Sequence, residues 1–152
     1  MAIPYFARGN EGIPMMENSP QSYEIIVDGN IVNVKTFGPF SQDSAKAYQY
    51  DMQNVIKQLK DKSWATLVTY QDSGIFTPEA EIVLTELTVY RAKFGMVANA
   101  SVFYNSKVTD IQQMQLSRIY EAAKIPFHVF SEIDSAKDWL NYFLEQGALK
   151  KW

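Results

Sequence analysis

Hydrophobic and polar positions along most of this chain recur with two different periods. In residues 23–37, two runs rich in β-branched and aromatic residues flank Asp28-Gly29, a strong signal for a β-hairpin. Beyond them, four segments have apolar residues at helical spacing, and short apolar runs separate these segments. The pattern predicts helices at about residues 41–60, 77–95, 109–123 and 131–147, and further strands at residues 65–69, 97–103 and 126–130.

Residues typical of helix ends mark the predicted boundaries. Ser41 is expected to cap the first helix, and Thr77, followed by Pro78, is expected to cap the second. Gly95 lies where the C-terminal cap of that second helix belongs. Gly147 is expected to end the last helix.

A hairpin followed by alternating helices and strands predicts an α/β domain. The expected fold is a single-layer, mostly parallel sheet of four to five strands with an N-terminal β-hairpin, packed by about four helices. In two strands, however, polar residues alternate with apolar ones: Asn33 and Lys35 in one, Asn99 and Ser101 in the other. Because a parallel sheet covered on both faces gives continuous apolar runs, we expect one face to be partly uncovered and to carry these four side chains. The N-terminal arm or a second subunit could lie there.

The chain divides by composition into an arm, a domain and a tail. Residues 1–22 contain three prolines and two glycines, so regular structure is not expected there. The same residues are too apolar for a freely solvated tail, and we expect part of this extended arm to dock on its own domain or on a neighbouring subunit. A disordered tail is the alternative. The α/β domain is expected to span residues 23–147, followed by a C-terminal tail at residues 148–152.

Charge and composition exclude several classes of protein. Seventeen acidic against fourteen basic residues, with no basic run, argue against a nucleic-acid partner. No apolar run is long enough for an integral membrane segment, and without a secretory signal pattern a cytoplasmic location is the default expectation. The chain has no cysteine and one histidine, so thiol chemistry is excluded and a zinc site is not expected.

No catalytic residues or cofactor are predicted. A Ser-His-Asp triad would have to use His128, and no nucleophile elbow presents a serine. The pair Tyr120 and Lys124 has the spacing of short-chain dehydrogenases, but the glycine-rich turn that seats their dinucleotide is missing.

Four segments together resemble a known group of domains: YEIIVDGNIVNVKTFGPFS, WATLVT, FTPEA and SEIDSAKDWL. In their order and spacing they are similar to the SpoIIAA-like domains, distant relatives of the STAS family of anti-sigma-factor antagonists. The resemblance covers roughly residues 23 to 145 and implies a small sheet of four or five strands packed against helices. Members with a known role mostly bind partner proteins, and some bind small ligands.

The resemblance also suggests two candidate phosphorylation sites. Anti-sigma-factor antagonists carry a D-S-S-G-L type motif, whose serine is phosphorylated, between the third strand and the second helix. Asp72-Ser73-Gly74 imitates that motif several residues early, and Thr77 lies nearest the phosphorylated position. Thr77 and Ser73 are therefore candidates, while Thr77 is fully explained as a helix cap before proline.

The ends of the predicted parallel strands form the candidate binding surface, because ligands of open α/β sheets favour that edge. It would collect aromatic rings, hydroxyls, a carboxylate, an amide and one lysine, which suit a small ligand or a partner segment. Alternatively, these are loop residues that favour turns and solubility. The residues are Tyr70, Asp72, Ser73, Thr77, Tyr104, Asn105 and Lys107.

The sequence therefore favours a non-enzymatic binding or regulatory domain that acts through protein–protein interaction or self-association. The alternative is a carrier of a small apolar ligand or lipid, suggested by nine tyrosines and nine phenylalanines. A third reading is an enzyme with an unrecognised acid/base pair. An enclosed pocket of a few hundred cubic ångströms would favour the carrier, and an exposed patch around residues 70–77 would favour the interaction domain.

Overall fold

The computed structural model describes residues 6–8, 23–38, 40–59, 61–72, 75–105 and 107–149, with residues 6–8 and 147–149 described by their backbone alone. The strands are β1 (Phe6–Arg8), β2 (Tyr23–Asp28), β3 (Ile31–Phe37), β4 (Trp64–Gln71), β5 (Met96–Tyr104) and β6 (Phe127–Phe130). The helices are α1 (Gln42–Gln58), α2 (Pro78–Lys93), α3 (Thr109–Ala122) and α4 (Ile133–Leu149).

The strands lie in the sheet in the same order as in the sequence. β2 and β3 form the predicted antiparallel hairpin, and β3 to β6 are parallel. Right-handed crossovers that all step in one direction place their helices on one face, so α1, α2 and α3 pack side by side. α4 follows the last strand and packs on β4, β5 and β6 from the opposite face. This architecture confirms the predicted mixed α/β sheet with its hairpin and four helices.

The short strand β1 was not predicted, because prolines and glycines dominate the arm. Phe6 to Arg8 lie between Pro4 and Gly9, and they pair antiparallel with β2, Phe6 opposite Ile26. An edge strand offers free backbone N–H and C=O groups, and three residues without proline are enough to use them. The other arm residues, 1–5 and 9–22, lie outside the described residues, so the docking of the rest of the arm stays a prediction.

The sheet separates two hydrophobic cores of different character. The core under α1, α2 and α3 is rich in aromatic and large aliphatic side chains, including the fully buried Trp64. The core under α4 is built on smaller sheet residues, which let that helix approach the strands closely. Its buried residues are Ala65, Leu67, Ala98, Ala100, Val102, Ala136 and Leu140.

The expectation that four polar strand residues share one open face was half wrong. Strand register places Asn33 and Lys35 on the α4 face, where Asn33 is half-buried and Lys35 exposed. The same register aligns Ser101 with Val68, so Ser101 and Asn99 lie on the three-helix side and are fully buried. Among the described residues, it is the part of the α4 face over β2 and β3 that no helix covers.

The buried polar pair on β5 satisfies its own hydrogen bonds. The Asn99 amide nitrogen donates to Thr66 Oγ1 at 2.6 Å, and Ser101 Oγ donates to Asn99 Oδ1 at 3.0 Å. Such a paired network avoids the cost of burying polar groups without partners, which is how polar residues can occupy the inner face of a strand.

Three of the four predicted helix-end signals are confirmed. The hydroxyls of Ser41 and Thr77 each accept a hydrogen bond from the N–H group three residues later, at 3.3 Å and 3.1 Å. Gly95 follows the C-cap of α2 with a φ of 110°. The prediction for Gly147 was wrong, because α4 continues to Leu149. A glycine within a helix costs only about 1 kcal/mol relative to alanine, which packing of the helix can offset.

Candidate functional site

The C-terminal edge of the parallel strands brings together three of the predicted site residues. Asp72 and Asn105 are exposed and adopt left-handed backbone conformations, with φ values of 51° and 57°. Aspartate and asparagine tolerate this conformation better than most residues. The Asp72 N–H donates to the Tyr104 carbonyl at 3.1 Å, which ties the β4–α2 and β5–α3 turns together.

The remaining predicted residues differ in their positions. Tyr104, Lys107 and Thr77 are exposed, as expected for a binding surface. Ser73 lies outside the described residues, so its place in the surface and its phosphorylation stay predictions. The prediction for Tyr70 was wrong: its side chain is 7% exposed and stacks on Phe103 with ring centroids 5.0 Å apart.

Thr77 is held as a helix cap, and replacing it by alanine is expected to lower the free energy of unfolding by about 1 kcal/mol. Serine keeps the hydroxyl acceptor, so Thr77→Ser is expected to retain most of that stability. Urea unfolding of the two variants beside the wild type measures the difference. An alanine variant as stable as wild type would show that the hydroxyl does not contribute as a cap.

A small cavity lies directly beneath this edge, between the sheet and the three-helix layer. It has about 30 Å³ of room, far less than the few hundred cubic ångströms expected of a carrier pocket. This cavity is therefore too small for a lipid or apolar ligand, and the carrier stays a prediction. Its lining residues are Thr36, Phe40, Tyr48, Val68, Tyr70, Phe76, Leu84, Thr88, Arg91, Leu116, Ile119 and Tyr120.

Arg91 is the unusual residue of the cavity wall, because its side chain is charged and only 2% exposed. Its Nη2 donates to Thr88 Oγ1 at 2.8 Å and to Tyr120 Oη at 3.2 Å. Its Nε and Nη1 are buried without a hydrogen-bond partner, and no carboxylate in the described part of the chain pairs with it. Burying an unpaired charge costs several kcal/mol, so this arrangement needs an explanation.

The phenols around Arg91 do not supply the missing negative charge. Burial raises the pKa of Tyr48 to about 12 and holds the pKa of Tyr70 well above its usual value. Both side chains are therefore protonated and neutral near pH 7. Their hydroxyls can hydrogen-bond but carry no charge, and the face of the Tyr120 ring, whose centroid is 5.8 Å from Arg91 Cζ, offsets only part of the guanidinium charge.

Arg91 escaped the sequence analysis because a charged residue was not considered part of an apolar stripe. It follows Leu84 by seven positions and Leu87 by four, which places it on the buried face of α2. An arginine at a core position of a helical stripe is the signal that could have identified it.

Four exposed large apolar residues of α2, α3 and the turn before α2 form a set that we call the α2–α3 patch, and α2 also exposes Val89 and Tyr90 nearer its C-terminal end. The side chains of the four patch residues are 46–61% exposed, although residues of this kind are usually buried. The patch consists of Ile75, Ile82, Ile111 and Met114. Sequence reasoning missed it because these residues lie outside the apolar stripes that locate a core.

Metal and membrane sites are not seen in the part of the chain that is described. Within it, no three His, Asp or Glu side chains come close enough to ligate one metal ion. None of its helices combines the length and apolar character needed to cross a bilayer.

The topology is that of a SpoIIAA-like fold, as the sequence resemblance implied. The structure is similar to the crystal structure of an uncharacterised protein of the DUF3478 family with a SpoIIAA-like fold from Shewanella loihica PV-4. The two share a TM-score of 0.56 and 13% sequence identity, covering 92% of this chain and 97% of the other. No protein-family model matches the sequence, and no curated protein matches it. At this identity the likeness shows the fold alone.

Proposed function

We propose that this chain is a non-enzymatic binding domain that recognises a partner protein through the α2–α3 patch. The observation that carries the proposal is the exposure of four large apolar side chains on two neighbouring helices and the turn before α2. Contiguous exposed apolar surface with a polar rim is characteristic of protein–protein interaction sites. The patch begins at Ile75, within the turn where sequence reasoning predicted the interaction surface.

One end of the patch is fixed by an ion pair between the helices. Arg118 Nη2 on α3 lies 2.7 Å from Glu81 Oε1 on α2. Ile82 follows Glu81 in sequence, and Met114 lies one helical turn before Arg118. The ion pair therefore places these two apolar side chains on adjoining helix surfaces.

The other end of the patch is fixed by a side-chain amide. Gln115 accepts a hydrogen bond from the Phe76 N–H and donates one to the Phe76 carbonyl, each at 3.0 Å. Ile75 precedes Phe76, and Ile111 lies one turn before Gln115. The turn leading into α2 is thereby held against α3, which gives the partner a preformed surface.

Charge around the patch indicates the chemistry of the partner. The exposed acids Asp72, Glu79, Glu86 and Asp110 belong to the same turn and helices, while Arg118 is paired with Glu81. Lys107, before α3, and Lys93, in the last turn of α2, are exposed bases of the same elements. An acidic rim around apolar residues favours a partner segment that combines apolar and basic side chains, and it disfavours a second copy of this chain.

The proposal is tested by comparing three versions of the full chain as bait in cells. Ile82→Glu/Met114→Glu is expected to reduce recovery of the partner at least about tenfold, because charges replace the apolar centre of the interface. Tyr50→Glu/Tyr142→Glu is the matched control, since these side chains are 61% and 57% exposed but lie outside the patch. Quantitative mass spectrometry after in-cell crosslinking measures the recovery.

The proposal is supported if one protein is recovered with the wild type and the control but not with the patch variant, and if added salt releases that protein. Equal recovery with all three baits, or no protein enriched by wild type, would contradict it. Light scattering of the purified chain shows whether it forms a dimer. If wild type is a dimer and the patch variant is a monomer, the patch binds a second copy of this chain and the proposed basic partner is wrong. Cytoplasmic location and self-association stay predictions.

A further inference from the structure

The guanidinium of Arg91 presents three N–H groups without an acceptor. An arginine side chain has five N–H donors, and the two on Nη2 are accepted by Thr88 and Tyr120. The three on Nε and Nη1 are buried without an acceptor, whereas nearly all buried donors in folded proteins have one. The Arg91 side chain lines the cavity under the β4–α2 turn.

The Arg91 guanidinium lacks a negative charge beside it as well as hydrogen-bond acceptors. A water molecule in the cavity could accept hydrogen bonds from Nε or Nη1, but it would leave the positive charge uncompensated. No described carboxylate pairs with Arg91, and Tyr48 and Tyr70 are neutral at pH 7. The described residues therefore leave Arg91 without a negative partner, and an anion bound in the cavity would supply one.

The cavity restricts the size of such a partner. Room of about 30 Å³ accommodates roughly two water-sized groups, which excludes a nucleotide or a lipid. Leu84, Phe76 and Ile119 contribute hydrocarbon to the wall, so a second negative charge would lack polar contacts. A monovalent anion of a few heavy atoms fits these limits.

We propose that this cavity is a binding site for a small monovalent anion, held against Nε and Nη1 of Arg91. The ligand class comprises the carboxylates of one- and two-carbon acids and halide ions, which share a single charge and compact size. The site is separate from the α2–α3 patch and does not depend on the proposed partner.

The test compares thermal unfolding of the full chain in buffers of equal ionic strength containing chloride, formate, acetate or sulfate. At a hundred times the dissociation constant, a fitting anion is expected to raise the Tm by roughly 8 °C, because it binds only the folded state. Wild type and Arg118→Met, which removes an exposed arginine from α3, are expected to respond alike. Arg91→Met is expected to lose the response, since methionine keeps the length and removes the charge.

Crystals of the wild-type protein soaked in bromide supply a second, variant-independent measurement. Anomalous density within hydrogen-bond reach of Nε or Nη1 would support a halide site, and formate density displacing it would extend the site to carboxylates. Equal Tm responses in wild type and Arg91→Met would overturn the proposal. So would a cavity that holds only ordered water at saturating bromide and formate. If Arg91→Met does not fold, the two soaked crystals alone decide the matter.

Discussion

Gly95→Ala is expected to lower the free energy of unfolding by about 3 kcal/mol or more, because backbone strain and steric overlap add together. Gly95 has a φ of 110°, a conformation that residues with a Cβ rarely adopt. A Cβ at this position would overlap the carbonyl oxygen of Lys62 and lie 3.0 Å from Nε1 of Trp64. Neither neighbour can move freely, since one is backbone and the other is the largest fully buried side chain.

The environment of Trp64 makes the cost of that overlap greater. Its indole N–H donates to the Phe94 carbonyl at 2.9 Å, and its backbone N–H donates to the Gly95 carbonyl at 3.0 Å. Any shift that accommodates a methyl group would strain both hydrogen bonds and the packing of the indole ring.

A matched control separates strain from overlap. Gly29 has a φ of 61° in the β2–β3 turn, and a Cβ there would meet nothing within 4 Å. Gly29→Ala is therefore expected to cost about 1–2 kcal/mol from strain alone. Guanidinium unfolding of both variants gives the comparison, and equal losses would show that the overlap at Gly95 is relieved by local movement.

Leu140→Ala is the second substitution with a large expected effect, a loss of about 3 kcal/mol in the free energy of unfolding. Leu140 is fully buried and is the largest buried side chain that α4 contributes to the second core. Its neighbours on the sheet include Ala65, Ala98 and Ala100, which are too short to fill the space left by a deleted isobutyl group. The cavity would therefore persist, and its cost would add to the lost burial.

Tyr142→Ala on the same helix is the control, because this side chain is 57% exposed and its removal is expected to change stability by less than about 0.5 kcal/mol. Circular dichroism during chemical unfolding measures both variants. A loss below about 1 kcal/mol for Leu140→Ala would contradict an anchoring role for this residue, since buried leucines normally cost more.

Features that depend on neighbouring residues were predicted well from the sequence. The caps at Ser41 and Thr77 were identified because a side-chain oxygen and an N–H three residues onward define them. The hairpin at Asp28-Gly29 was identified for the same reason, since its turn chemistry lies within the turn. Gly147 misled because a glycine ends a helix only where the backbone turns left-handed there, and a glycine alone does not require that.

Features that depend on strand register were predicted poorly. Asn99 and Ser101 were assigned to the face of Asn33. Alternation along one strand separates its residues into two sets but does not show which set points to which face of the sheet. Tyr70 was placed on the surface because the strand was expected to end at Thr69. In the structure β4 continues to Gln71, so Tyr70 shares the parity of the buried Val68.

The candidate site was only partly accessible to sequence reasoning. Turn preferences correctly indicated exposed positions for Asp72 and Asn105. The surroundings of Arg91 are formed by side chains of α2, α3 and the sheet, which together leave two of its nitrogens without an acceptor. No spacing within the sequence reports such an arrangement.

The strict sequential order of the strands also bears on how the chain assembles. Every β-pairing joins strands that are consecutive in the sequence, so the sheet can grow by addition at one side as the polypeptide emerges. α4 alone returns across strands formed much earlier, because its surface on β4 and β5 exists only after two crossovers are complete. The carboxyl-terminal helix is thus the closing piece of the fold, and until it docks the alanine-rich side of the sheet remains open to water.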